Sequence, residues 1–181
     1  MKLYVLDTDI AGFVQHAHPT VRSRINALPD ADTLATTIIT FGEDLTGWLP
    51  ACRRALDGTA RAQAYQRLQA GLEFYREVIC LPFDSTAAAI FDQLRQQHRR
   101  SGTNDLAIAA ITLSFNGILV TRNVVDFERI PLRGLKTGHG NQRFAPNNVD
   151  LETAEQGYSL ALPKTTSAPR GIGYSPSFGQ S

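Results

Sequence analysis

Only two cysteines, Cys52 and Cys80, stand in the 181 residues. Neither shares a short metal-type spacing with another Cys or with a His. That argues against a disulfide scaffold and a zinc site, and a reducing, cytoplasmic setting fits best. Long apolar runs are also missing. The few apolar residues after Lys2 end at Asp7, too short for a signal peptide or a membrane span, and no later stretch reaches spanning length. No excess of one charge is present either. The net charge is +1, so bulk charge neither argues for nucleic acid nor excludes it, and a polyanion site must be a local patch. No lysine stands between Lys2 and Lys136, and no internal repeat is evident.

What is present is ordinary for a globular protein: 43% hydrophobic and 19% charged residues, in a length suited to one domain. Strand and helix signals alternate. Lys2–Leu6 reads as a strand, Thr20–Leu28 as a helix, and the β-branched run Leu34–Ile39 as a second strand. A long helical stretch broken near Asp57-Gly58 follows. Val78–Pro82 is a third strand, Ser85–Arg100 a helix, and Asp105–Phe115 a helix apolar nearly all round and therefore buried. Asn116-Gly117 stops it, and Ile118–Thr121 is a fourth strand. Such alternation implies an α/β fold, with βαβ units and a parallel sheet covered on both faces. Composition changes near His139. Residues 140–181 are rich in Gly, Pro, Ser, Thr and Asn, and the last of them have too little apolar surface to offset ordering, so they read as a tail.

In parallel sheets the ligand crevice lies beyond the carboxyl ends of the strands. Asp7 stands where the first strand ends. Glu43 is expected just past the second, Asn123 and Asp126 just past the fourth, and Asp105 at the start of the buried helix. Each position has a structural explanation. Thr40-Phe41-Gly42-Glu43 matches a capping box, Thr103 or Asn104 suits an N-cap with Asp105 in the first turn, Asn123 to Asp126 has cap-like spacing, and Asp9 could cap the first helix. Capping is the better explanation for every one taken singly except Asp7. Taken together, acids at successive strand-end crossings point to a shared site. Clustered carboxylates repel, and some take up protons unless a cation holds them. Oxygen ligands without His or Cys suit Mg²⁺ or Mn²⁺, and such an ion supports hydrolysis of a phosphodiester. His16, His18, His98 and His139 fit no ligand spacing with the acids.

At these residues the sequence resembles the PIN domain family and, within it, the VapC-type toxin ribonucleases of bacterial toxin–antitoxin pairs. The stretches that carry the resemblance are YVLDTDI, TTIITFGEDLTG, GTNDLAIAA and ILVTRNVVDFERIPLRGL, in that order across residues 1–139. The resemblance implies a PIN-like α/β/α sandwich with a central, mostly parallel sheet in residues 1–139, plus a poorly structured C-terminal extension, 140–181, with no counterpart in the family. It implies a Mg²⁺- or Mn²⁺-dependent endoribonuclease. Asp7 and Asp105 match the principal metal ligands, and Glu43 the second acid of the cluster. Asp126 is favoured over Asn123 for the fourth acidic position, with Asn123 as a polar neighbour. Thr8 and Thr121 match small hydroxyl residues flanking the metal site. The implied partners are an RNA substrate, a cognate antitoxin protein and a second copy of the chain. Asp44 departs from the pattern, since the family usually has an apolar residue there; it either faces solvent or competes as an acid.

Arg99 and Arg100 lie a few residues before Asp105, and Arg122 lies beside Asn123, so these three are the expected RNA-binding cations. Arg53, Arg54, Arg61, Arg67 and Arg76 on the middle helices fit a solvated face equally well. Trp48, Tyr65, Phe74 and Tyr75 in the same region read as core or dimer-contact residues. Two rival readings stand. Asp7-Thr8-Asp9 after a strand also resembles the haloacid dehalogenase-like phosphatases, but these need a later Lys near a strand end, and the lysine gap argues against them. A non-catalytic PIN-like binding module is the other, kept open by Asn123.

Overall fold

The computed structural model describes residues 1–132 and 134–137. In chain order they form β1 (Leu3–Leu6), α1 (Thr8–Gln15), α2 (Pro19–Asn26), β2 (Thr33–Thr37), α3 (Ile38–Arg54) and α4 (Gly58–Glu77). Then come β3 (Ile79–Leu81), α5 (Ser85–Gln97), α6 (Thr103–Ser114), β4 (Ile118–Thr121), α7 (Val124–Phe127) and β5 (Leu135–Thr137). The expected tail, residues 140–181, lies outside the described residues.

The sheet runs in the order β3-β2-β1-β4-β5, and every pairing is parallel. The expectation of a mostly parallel sheet is therefore met by a wholly parallel one, with β5 added to the four strands expected. From β1 the chain builds outward through β2 and β3, then crosses to the other side of β1 to lay down β4. The switch point of the winding thus falls between β1 and β4. In open α/β sheets that is where the carboxyl-end crevice opens.

Side-chain alternation along the strands serves both faces. Val5, Ala35 and Leu81 pack with Ala87 of α5 and Ile111 of α6 on one side. Leu6 packs with Ile10, Ala11 and Val21 of α1 and α2 on the other, joined by Leu34, Val120 and Phe74. Helix α6 has no exposed face over its central turns: Leu106 through Thr112 are all buried, and Leu106, Ile108, Ala109 and Ala110 share a cluster with Leu119 and Phe127. Burying a Leu or Ile side chain contributes about 1.5–3 kcal/mol. The anchorage of α6 is therefore strong enough to fix its N-terminus against the sheet rim.

Four local expectations are corrected. Ile38 and Ile39 belong to α3, not to the second strand. Thr37 stops β2 by capping α3, its side chain accepting from the Thr40 N–H at 3.1 Å. The expected capping box from Thr40 to Glu43 is therefore replaced by a cap centred on Thr37, and Glu43 sits inside the helix. Helix α5 ends at Gln97, so Arg99 and Arg100 follow it. Helix α6 starts at Thr103 with Gly102 as its N-cap, so neither Thr103 nor Asn104 caps it.

Helices α3 and α4 pack closely because Gly71 has no side chain: a Cβ there would fall 2.2 Å from the Trp48 ring. Gly71→Ala should destabilise the protein by about 1–3 kcal/mol through overpacking. Gly12→Ala on α1, where a Cβ meets nothing within 4 Å, should stabilise it by about 0.5–1 kcal/mol. Urea denaturation measures both, and equal shifts would contradict this packing.

Candidate metal centre at the sheet rim

Asp7 follows β1 directly and is 6% exposed. Its N–H continues the sheet by donating to the Val120 carbonyl at 3.0 Å. Its carboxylate then performs two tasks. Oδ1 accepts from the Thr8 N–H at 2.7 Å, so Asp7 is the N-cap of α1. The sequence suggests Asp9 for that role, but Asp9 is an exposed first-turn residue. Oδ2 accepts from the Thr121 hydroxyl at 2.6 Å. Thr121, fully buried at the end of β4, in turn accepts from the Asn123 N–H at 2.9 Å. A hydroxyl that accepts on one side and donates on the other has its proton direction fixed, so the two strands at the switch point aim the Asp7 carboxylate together.

Glu43 reaches the same rim from the second turn of α3. Oε2 accepts from the Thr8 hydroxyl, and Oε1 accepts from Asn104 Nδ2 at 2.9 Å. Three elements, α1, α3 and α6, therefore converge on one carboxylate. Asp105 is the third residue of α6. A Cβ at Gly102 would lie 2.5 Å from its Oδ2, so a side chain there would push the carboxylate from the place it holds over the helix start. Asp126 lies in the short helix α7, where its Oδ2 accepts from Asn123 Nδ2. Asn123 and Asp126, alternatives by sequence, thus occupy one hydrogen-bonded pair.

The electrostatics express this convergence. Burial pushes the Asp105 carboxyl up to about 6, and the neighbouring charges of Asp7, Asp126 and Glu43 push in the same direction. Burial also raises Asp7 above the ordinary carboxylate range, against the hydrogen bonds from Thr121 and Thr8 and with the charges of Asp9 and Glu43 adding to it. Negative charge is crowded at this rim in the way that a cation relieves. The donors are all oxygens, the set suited to Mg²⁺ or Mn²⁺. Among the described residues no three His, Cys, Asp or Glu side chains close into a ready-made cage.

Sequence reasoning missed two contributors. Gly102 gives the Asp105 carboxylate its space, and Asn104 holds Glu43. Both read as helix-start residues, and the same letters serve both roles. Asp44, expected either to face solvent or to compete for the site, does neither: it accepts from Gln15 Nε2 at 2.6 Å and from the Tyr75 hydroxyl at 2.8 Å. Among the expected RNA-binding cations, Arg99 and Arg100 are exposed beyond α5. Arg122 is exposed with its guanidinium 5.1 Å from the centre of the Phe13 ring.

A wholly parallel sheet with acids gathered at its switch point is the architecture of an α/β protein that presents carboxylates at its carboxyl-end crevice. The family model for the PIN domain matches residues 4–132, and the chain belongs to that family. It is similar to Ribonuclease VapC1 of Haemophilus influenzae strain R2866, at 31% identity over 129 residues that cover 71% of this chain and 92% of that protein. Ribonuclease VapC2 of Rickettsia felis is 25% identical over 135 residues, which cover 71% of this chain and 92% of that protein. Among solved structures, VapBC-1 from nontypeable Haemophilus influenzae matches with a TM-score of 0.61 at 26% identity, covering 75% of this chain and 98% of that one. A VapBC2 structure from Rickettsia felis, bound to a DNA fragment from its promoter, has the same TM-score at 24% identity, with the same coverage, and so supports the fold.

Because the folded Asp105 pKa lies above its unfolded value, the folded metal-free protein binds the extra proton between about pH 4 and 6. Stability from this group is present at low pH and is lost as pH rises through about 6. Asp105→Asn should therefore raise the Tm of the metal-free protein at pH 7 and remove much of the Tm gain produced by Mn²⁺. A Tm that falls on substitution, with the Mn²⁺ gain intact, would contradict the crowding.

Proposed function

We propose that this protein is a divalent-metal-dependent endoribonuclease that hydrolyses RNA phosphodiester bonds, acting as the toxin of a toxin–antitoxin pair. The observation that carries the reading is the crowding of Asp7, Glu43, Asp105 and Asp126 at one rim, on a chain that belongs to the PIN domain family. The relatives named ribonucleases support it.

Asp7 and Asp105 are the residues suited to hold Mg²⁺ or Mn²⁺. When bound, the ion supplies neutralisation of phosphoryl charge and a more acidic water. Thr121 and Thr8 keep Asp7 in one orientation. Glu43, fixed from two sides by Thr8 and Asn104, serves as an acceptor that orients water at the reacting phosphate. Asp126, steadied by Asn123, adds the fourth acid. Arg99, Arg100 and Arg122 bind backbone phosphates on either side of the rim. Arg122 is pre-positioned by Phe13, which lowers the side-chain entropy lost on binding.

An antitoxin and a second copy of the chain are the proposed partners. The structural relatives described as VapBC complexes support this, as do the exposed Leu49, Tyr65 and Leu72 on α3 and α4. Among the described residues no helix is long and apolar enough to cross a membrane.

Purified protein incubated with total RNA should cut it only when Mg²⁺ or Mn²⁺ is supplied, and Asp7→Asn should lower the rate by roughly 100-fold. Metal-independent cutting, or full activity in the Asp7 variant, would contradict the proposal. Replacing Arg100 and Arg122 with Ala should weaken RNA binding and lower its log–log salt slope by about 1.4, roughly 0.7 for each single-strand phosphate that is no longer neutralised. An unchanged slope would count against these two arginines as phosphate ligands.

A further inference from the structure

Glu43 and Asp44 are consecutive on α3, and neighbouring residues on a helix project about 100° apart. Their partners are arranged accordingly. Glu43 meets Thr8, the first residue of α1, while Asp44 meets Gln15, the last. Those two ends are roughly 10 Å apart at 1.5 Å per residue, so α3 crosses α1 with one carboxylate reaching each way. Asp44 has a second anchor in the Tyr75 hydroxyl on α4, and both donors bind the same oxygen, Oδ2. Tyr75 itself is locked by ring contacts with Phe41 at 4.7 Å and Phe74 at 5.0 Å. It remains a proton donor throughout the working pH range, because burial and the Asp44 carboxylate push its pKa well up.

We infer that Gln15, Asp44 and Tyr75 form a clamp that fixes the rotation of α3 and thereby holds Glu43 at the rim. Asp44 is a positioning residue, not an acid of the metal site. Its carboxylate is engaged by Gln15 and Tyr75, whereas the charges acting on Asp105 are those of Asp7, Asp126 and Glu43. Ile39 and Cys52 seat α3 in the core, and a small rotation about that seat would swing the Glu43 carboxylate out of reach of both Thr8 and Asn104. The inference rests on the ribonuclease reading only for its kinetic consequence; the geometric consequence is independent of it.

The test uses the full chain carrying Asp44→Ala, Asp44→Asn or Tyr75→Phe. The first readout is the Asn104 side-chain amide resonance in a ¹⁵N-edited NMR spectrum, which reports its bond to Glu43. The second is the kcat and KM for cleavage of a labelled RNA oligonucleotide taken from the cut sites found in total RNA. Asp44→Ala should shift the Asn104 signal and lower kcat by about tenfold with KM little changed, the signature of a misplaced group. Tyr75→Phe should move both in the same direction by less. Asp44→Asn, whose amide oxygen still accepts both bonds, should restore signal and rate. If Asp44→Ala leaves the Asn104 signal in place, the clamp is overturned. It is equally overturned if Asp44→Asn loses as much rate as Asp44→Ala, which would make the charge the active property. If the wild type cuts no RNA yet the Asn104 signal responds as stated, the ribonuclease reading fails and the clamp stands.

Discussion

Carboxylates repel one another, and a buried carboxylate loses its hydration as well. Asp7 and Asp105 are nevertheless set in a partly dry rim beside Glu43 and Asp126. Their proximity is imposed by elements whose own packing is strongly favourable. Asp7 continues a central strand with neighbours on both sides. Asp105 heads a helix buried through its central turns. Glu43 is gripped from α1 and α6. The fold holds charge where charge alone would not gather, and relief of this standing unfavourable energy is what the proposed cation would draw on.

The polar neighbours share one logic. Thr8, Thr121, Asn104 and Asn123 each donate to a carboxylate of the rim or orient the group that does. A donor with no charge offsets part of the desolvation of an acid without neutralising it, so the site stays anionic. A lysine or arginine at the same place would form an ion pair and cancel that negative charge. The chain's cations sit outside this ring, where Arg99, Arg100 and Arg122 are exposed to solvent.

Much of this was legible in the sequence because strand-end acids in an alternating βα pattern have one place to go. The rim positions of Asp7 and Asp126 follow from that rule, whereas Asp105 stands at a helix start and its place depends on how α6 packs. What was not legible depends on competition between local signals. Ile38 and Ile39 extend a β-branched run, and nothing in that run says that Thr37 will cap a helix and overrule it. Asp9 reads as the cap of the first helix, and only the exit of the chain from β1 makes Asp7 the cap instead. The fifth strand, Leu135–Thr137, has three residues and carries too little pattern to stand out. The role of Asp44 was hidden because its partners, Gln15 and Tyr75, are 29 and 31 residues away.

The most direct examination of the account is anomalous diffraction from crystals of this protein soaked in Mn²⁺. The account predicts one strong peak at the end of β1, about 2.1 Å from an oxygen of Asp7 and of Asp105, with Glu43 reached directly or through a bound water. A fully soaked crystal with no peak between those two carboxylates, or with the ion held elsewhere, would contradict it.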